Sequence, residues 1–143
     1  MIDTTDIDRW LVRYQAAWLS DDPAAIAALF TSDVRYFTAP YSEPLLGTEA
    51  VSTYWLEQGE SRLPWTFDYQ VVAREGDLCV VQAATSYPEG TTGAPGAEEF
   101  HNLWLVTLSG DGRVREFVEY SMLAEQGSRR KQSFRVLRWR SVA

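Results

Sequence analysis

From Trp65 to Leu123 the sequence presents four successive runs of aromatic and β-branched residues, Trp65 to Arg74, Leu78 to Tyr87, Glu99 to Leu108 and Arg113 to Leu123. No helical pattern interrupts them, which leaves few folds open. Tight-turn signals at Glu75-Gly76-Asp77 and Gly110-Asp111-Gly112 join neighbouring runs, and a two- or three-residue turn can only connect antiparallel strands. Between the middle two runs lies PEGTTGAPGA, whose glycines and prolines mark a mobile loop.

The half before these runs is helical. Thr5 and Asp8 form a capping pair, after which Ile7, Leu11, Tyr14 and Trp18 recur at helical spacing on one face. Asp22-Pro23 then places an N-cap before a proline at the first helical position, and Ile26, Leu29 and Phe30 supply the apolar stripe of a short second helix. Val34 to Ala39 reads as a strand. Thr48 caps a third helix with Val51, Tyr54 and Trp55 on its apolar side, ended by Gly59.

Helices first and a meander of long strands afterwards predict an α+β fold, a cone-shaped roll of three N-terminal helices packed on a strongly curved antiparallel sheet. At 143 residues, 45% of them hydrophobic, the chain builds one core. One domain is expected over residues 1–124, followed by a basic C-terminal extension over 125–143. A curved sheet has a concave side. Six tryptophans and seven tyrosines exceed what a minimal core requires, and rings with polar tips suit an apolar pocket with a few polar handles.

Charge excludes several function classes. The net charge of −7 argues against nucleic acid as a partner, because binding a phosphate backbone depends on lysine and arginine. Arg129, Arg130, Lys131, Arg135, Arg138 and Arg140 hold six of the thirteen cations, leaving seven before them against all twenty acids. This basic tail is expected to add an edge strand, close a cavity mouth or meet a partner chain. The only lysine, Lys131, lies in that tail, so Schiff-base chemistry in the body is ruled out. One cysteine, Cys79, and one histidine, His101, fall short of a structural zinc site, and neither metal nor cofactor is expected. Cys79, within LCVV, reads as a buried core thiol. No run approaches the length of a membrane span and MIDTTDIDRW lacks the basic start of a signal peptide, so a cytoplasmic protein without membrane contact is expected. Serine-hydrolase, P-loop and dinucleotide motifs are missing.

The segment LVRYQAAWLSDDPAAIAALFTSDVRYFTAPYSEPLLGTEAVSTYW, residues 11–55, resembles the opening of the SnoaL-like, nuclear transport factor 2-like superfamily, with its acid-Pro helix start, ALF-x-x-D-V and G-T-x-A-V before an aromatic pair. GDGRVREFVEYSM is similar to that fold's last hairpin. The resemblance implies a cone fold that commonly pairs through the outer face of its sheet, giving a homodimer. Its relatives include ketosteroid isomerase, polyketide cyclases, epoxide hydrolases, dehydratases and binding domains, so activity must come from the site. Matched to ketosteroid isomerase, the oxyanion-hole tyrosine falls on Tyr14, the catalytic base on Thr38 and the second aspartate on Trp104, so two of three groups are missing. Matched to the epoxide hydrolases, one aspartate falls on Glu119, while CVVQAATSY lacks the arginine and aspartate that family carries.

Glu119 is therefore the candidate general base or acid, with Tyr14 as a hydrogen-bond donor to substrate. Because residues two apart share a strand face, a Glu119 that points inward takes Phe117 and Ser121 with it. Comparison with the isomerase adds Asn102 and Trp104, and Gln82 and Ser86 from the Leu78 to Tyr87 run. Trp18, Tyr36, Thr38 and Tyr54 complete the expected ligand-binding set. His101 faces outward beside Glu98 and Glu99, and becomes a candidate proton shuttle if the register slips by one. Two functions fit: a small cofactor-independent enzyme moving a proton on an apolar, oxygen-bearing molecule, by isomerisation, cyclisation, dehydration or epoxide opening, or a non-catalytic ligand-binding or association domain. A desolvated Glu119 beside Phe117 is expected to have a raised pKa.

Overall fold

The computed structural model describes residues 3–58, 66–87, 98–123 and 140–141. Helices α1 (Thr5–Ser20) and α2 (Pro23–Ala27) lead into strand β1 (Phe30–Phe37), the two-residue strand β2 (Leu45–Leu46) and helix α3 (Thr48–Gln58). Strands β3 (Thr66–Glu75), β4 (Leu78–Tyr87), β5 (Glu98–Leu108) and β6 (Val114–Leu123) come next, and β7 (Arg140–Ser141) belongs to the tail. The Gly59 helix stop, the PEGTTGAPGA loop and most of the basic tail lie outside the described residues.

The sheet order is β2-β1-β6-β5-β4-β3-β7. The expected meander appears as β3-β4-β5-β6, all antiparallel. One pairing departs from a purely antiparallel sheet: β1 runs parallel to β6, with a register shift between Phe30 and Arg35. The chain from β2 through α3 to β5 makes this possible, since parallel neighbours need a long connection. β7 pairs with Asp68 and Tyr69 at the far edge, so the tail contributes an edge strand there.

Local chemistry explains the element ends. Asp22 accepts a hydrogen bond from the Ala24 N–H at 3.0 Å, and Pro23 opens α2 as expected. Such a cap stabilises a helix by about 1 kcal/mol. The Thr5–Asp8 capping pair is corrected: Thr4 is the N-cap residue of α1, and its hydroxyl donates to Asp8 at 2.9 Å instead of capping the backbone. Asp8 lies one turn along from Thr4, within easy reach of it. α2 stops at Ala27, so Leu29 and Phe30 are buried by β1 and the turn before it, and β1 begins four residues earlier than Val34. Gly47 takes a positive φ of 85° between β2 and α3, and its N–H donates to the Val34 carbonyl at 2.9 Å. Few side chains tolerate that backbone.

The core lies between the helices and the concave sheet face. Ile7, Trp10, Leu11 and Tyr14 of α1 and Val51 and Trp55 of α3 meet Val34 and Tyr36 of β1, Phe67 of β3, Cys79, Val81 and Ala83 of β4, Trp104 and Val106 of β5, and Phe117 of β6. Each fully buried large apolar side chain contributes on the order of 1.5–3 kcal/mol. Trp10 is part of this core without having belonged to the expected stripe, and its indole N–H donates to the Leu29 carbonyl at 2.9 Å. Arg74 reaches from β3 to form an ion pair with Asp6, which ties the start of α1 to the sheet. Among the described residues no helix is long and apolar enough to cross a membrane.

Candidate functional site

Register fixes which side chains share the concave face. Trp104 lies opposite Glu119, Asn102 opposite Ser121 and Val106 opposite Phe117. On the other side of β5, Val81 opposes Trp104 and Ala83 opposes Asn102. Burial then falls along β6 from Phe117, fully enclosed, through half-buried Glu119 to exposed Ser121. The concave face is thus packed at one end and open at the Ser121 end.

Glu119 stands at this transition. Its Oε2 accepts a hydrogen bond from the Trp104 indole N–H at 2.9 Å. A donor aimed at a carboxylate favours its charged form and fixes one oxygen. Trp104 is itself immobilised, with its ring 4.9 Å from Tyr14, 5.3 Å from Phe117 and 5.7 Å from Phe67, the last pair stacked.

Tyr36 lies next to the same carboxylate. Its ring stacks on Phe117 at 4.8 Å, and its hydroxyl accepts from the Trp55 indole N–H at 3.2 Å. Burial, and after it the charge of Glu119, push its pKa well above the ordinary phenol value. Tyr36 therefore remains a neutral phenol throughout the physiological range, with its proton retained for donation. Tyr54, half-buried, approaches Tyr36 at 6.1 Å and borders an outer groove of about 540 Å³ between β2 and α3, floored by Leu45, Leu46 and Ala50 and flanked by Glu49 and Glu57.

Tyr14 occupies the centre of the aromatic core. Trp10, Trp18, Trp55, Phe67, Trp104 and Phe117 all have ring centroids between 4.9 and 6.4 Å from its own. Trp18, at the edge of that cluster, packs against Trp55 at 4.9 Å. Thr38 lies just past the end of β1 and pairs with the Ser42 hydroxyl at 3.5 Å, which makes it part of a turn.

The structure brings Glu119, Tyr14, Tyr36, Asn102, Trp104, Phe117 and Ser121 to the concave face, and corrects two expectations on β4. Gln82 and Ser86 point to the convex face, opposite Leu103 and Glu99. Cys79, Val81, Ala83 and Thr85 face inward and are buried. Both sides of CVVQAATSY carry small or apolar residues, so alternation alone gives it no phase. His101 faces outward, as expected, with its Nε2 2.6 Å from Glu99. Ala83 and Thr85 are site neighbours that the strand pattern did not single out, whereas Trp55 stands on the apolar side of α3 as the helical spacing predicts. Among the described residues no group of three histidine, cysteine or acidic side chains could hold a metal ion.

With this geometry in place, the sequence match is informative: residues 11–117 match the model of the SnoaL-like domain. The chain belongs to the SnoaL-like domain family. Solved structures agree on the fold. The epoxide hydrolase/cyclase-like enzyme SalBIII, described for pyran ring formation in the polyether salinomycin, superposes with a TM-score of 0.67 at 15% identity, over 85% of this chain and 95% of that one. A putative SnoaL-like polyketide cyclase from Jannaschia sp. CCS1 gives 0.63 at 20% identity, over 84% and 87%. A protein of ketosteroid isomerase-like fold from Catenulispora acidiphila DSM 44928, solved with trimethylamine, gives 0.59 at 19%, over 78% and 83%. No curated protein matches this SnoaL-like chain in sequence.

Proposed function

We propose that the chain is an acid/base enzyme that moves a proton on an apolar, oxygen-bearing small molecule without a cofactor, with Glu119 as the group that carries the proton. The observation that supports this most is a carboxylate on the concave face, flanked by Phe117 and held by the Trp104 N–H at 2.9 Å where the lining changes from packed to open. A general base needs this combination of partial desolvation and fixed orientation. In the proposed step Glu119 accepts a proton from the substrate and returns it at a second position. Tyr14 and Tyr36, neutral phenols on the same face, donate to the oxygen on which negative charge develops.

Isomerisation, cyclisation and dehydration share that removal of a substrate proton, whereas in epoxide opening by water Glu119 takes the proton from the attacking water and returns it to the alkoxide left by the broken C–O bond. Native mass spectrometry of the purified protein, with the recovered ligand then incubated with fresh enzyme, separates them. Conversion at unchanged mass identifies an isomerase or cyclase, loss of water a dehydratase, and gain of water an epoxide hydrolase. A recovered ligand that is bound and never converted supports the second reading, a non-catalytic binding domain. That reading draws on the ring cluster around Tyr14, which fills the packed end of the cone.

The proposed assembly is a homodimer through the convex sheet face. Tyr120 and Met122 are 42% and 68% exposed there, beside half-buried Leu103, Leu105 and Val118. Contiguous apolar surface of this kind commonly marks an interface.

A further inference from the structure

The face that carries Glu119 also carries a second acceptor, one that the fold leaves unsatisfied. Asn102 is only 9% exposed, and its amide oxygen is buried without a hydrogen-bond partner. Leaving a buried acceptor unpaired is destabilising, and asparagine is a poor strand residue, so nothing in the fold accounts for this side chain in mid-β5. Its cross-strand neighbours are small. Across β4 it faces Ala83, whose methyl group occupies little space, and across β6 it faces exposed Ser121 at the open end. On the same face the buried rings of Phe67 and Trp104 stack on each other at 5.7 Å and end the aromatic cluster next to it. Asn102 and Glu119 are diagonal neighbours on adjacent strands, which places them roughly 7–8 Å apart, within the span of a bicyclic molecule.

We infer that Asn102 is the specificity-determining residue of this site and selects a hydroxylated ligand: its Oδ1 accepts a hydrogen bond from a ligand O–H while the ligand's apolar body packs at the edge of the ring cluster that Phe67 and Trp104 begin. A ligand carbonyl or ether offers only lone pairs to that oxygen and leaves it unpaired. An ammonium group would satisfy it, but loses far more hydration than a hydroxyl beside Ala83 and Phe67. The inference rests on the concave face being a ligand site, and does not depend on Glu119 being the base.

Calorimetric titration of the full chain with 2-naphthol and with 2-methoxynaphthalene isolates the donor, because the two probes share their ring and oxygen and differ in the O–H. The wild type binds the naphthol roughly tenfold more tightly or better, as expected where a buried group is otherwise left unpaired. Asn102→Leu brings the two probes within about twofold of each other and raises the melting temperature of the unliganded protein, since the orphaned acceptor is gone. Asn102→Ala, which adds no volume, gives the same levelling if the leucine variant fails to fold. Equal binding of both probes by the wild type, a naphthol preference that survives in the Asn102 variants, or no binding of either probe at millimolar concentration overturns the inference. The selector is read from binding by the Asn102 variants and the base from turnover by Glu119→Gln, so a failure of Glu119 as base and a failure of Asn102 as selector give different results.

Discussion

At Trp104 one N–H group holds a carboxylate oxygen of Glu119. Replacing the indole by phenylalanine keeps a ring against Tyr14 and Phe67 but removes the 2.9 Å hydrogen bond to the carboxylate. Hydrogen bonds to charged groups contribute about 1.5–3 kcal/mol, so Trp104→Phe should lower stability by about that amount in urea titration. Losing a donor to the charged form also raises the pKa of Glu119, so the acidic limb of the pH–rate profile should move to higher pH. Tyr36 acts at the other end of the pH scale. Because its folded-state pKa lies well above 10.0, the stability it confers is intact below pH 10.0 and is lost as pH rises through the folded value. Tyr36→Phe should flatten that alkaline loss in thermal melts taken above pH 10, while at neutral pH the variant loses about 1–3 kcal/mol because the buried Trp55 N–H is left without its acceptor.

Elements were legible in the sequence wherever a local signal fixed them. Asp22-Pro23 gave the start of α2, and the Gly76 and Gly112 turns, both at positive φ, gave the β3-β4 and β5-β6 hairpins. Faces were less legible than elements. β6 alternates Phe117, Glu119 and Ser121 against Glu116, Val118 and Tyr120, mixed on both sides, and its phase followed from an inward Glu119, in agreement with the resemblance to ketosteroid isomerase. β4 has Val80 beside Val81 and Ala83 beside Ala84, and its phase comes from pairing with β5, a contact between residues some twenty positions apart that alternation cannot register. Substitution checks the corrected phase directly. Gln82→Ala should change stability by less than about 0.5 kcal/mol, while Ala83→Gln, which buries an amide against the core, should cost several times more in the same denaturant titration. The parallel β1–β6 pairing was beyond sequence reading for a related reason, since turn chemistry specifies only neighbours joined by short connections.

For the molecule as a whole, the cone divides its work between two faces of one sheet. The concave face is packed with rings at the α1 end and reaches exposed Ser121 beyond buried Asn102, and the convex face exposes Tyr120 and Met122. The aromatic composition pointed to a pocket, yet Trp10, Trp18, Trp55 and Trp104 pack around Tyr14 in the core. On the convex face, Met122→Glu should convert a dimer to a monomer in light scattering without altering the fold seen by circular dichroism; an unchanged mass would remove the proposed interface. The central claim, that Glu119 carries the proton, is tested most directly by comparing kcat/KM of the wild type and Glu119→Gln on the ligand recovered from the protein, with ligand affinity measured in parallel. Loss of a general base predicts a fall of about 10²–10⁴-fold with affinity nearly unchanged. Turnover by Glu119→Gln at close to the wild-type rate would contradict it.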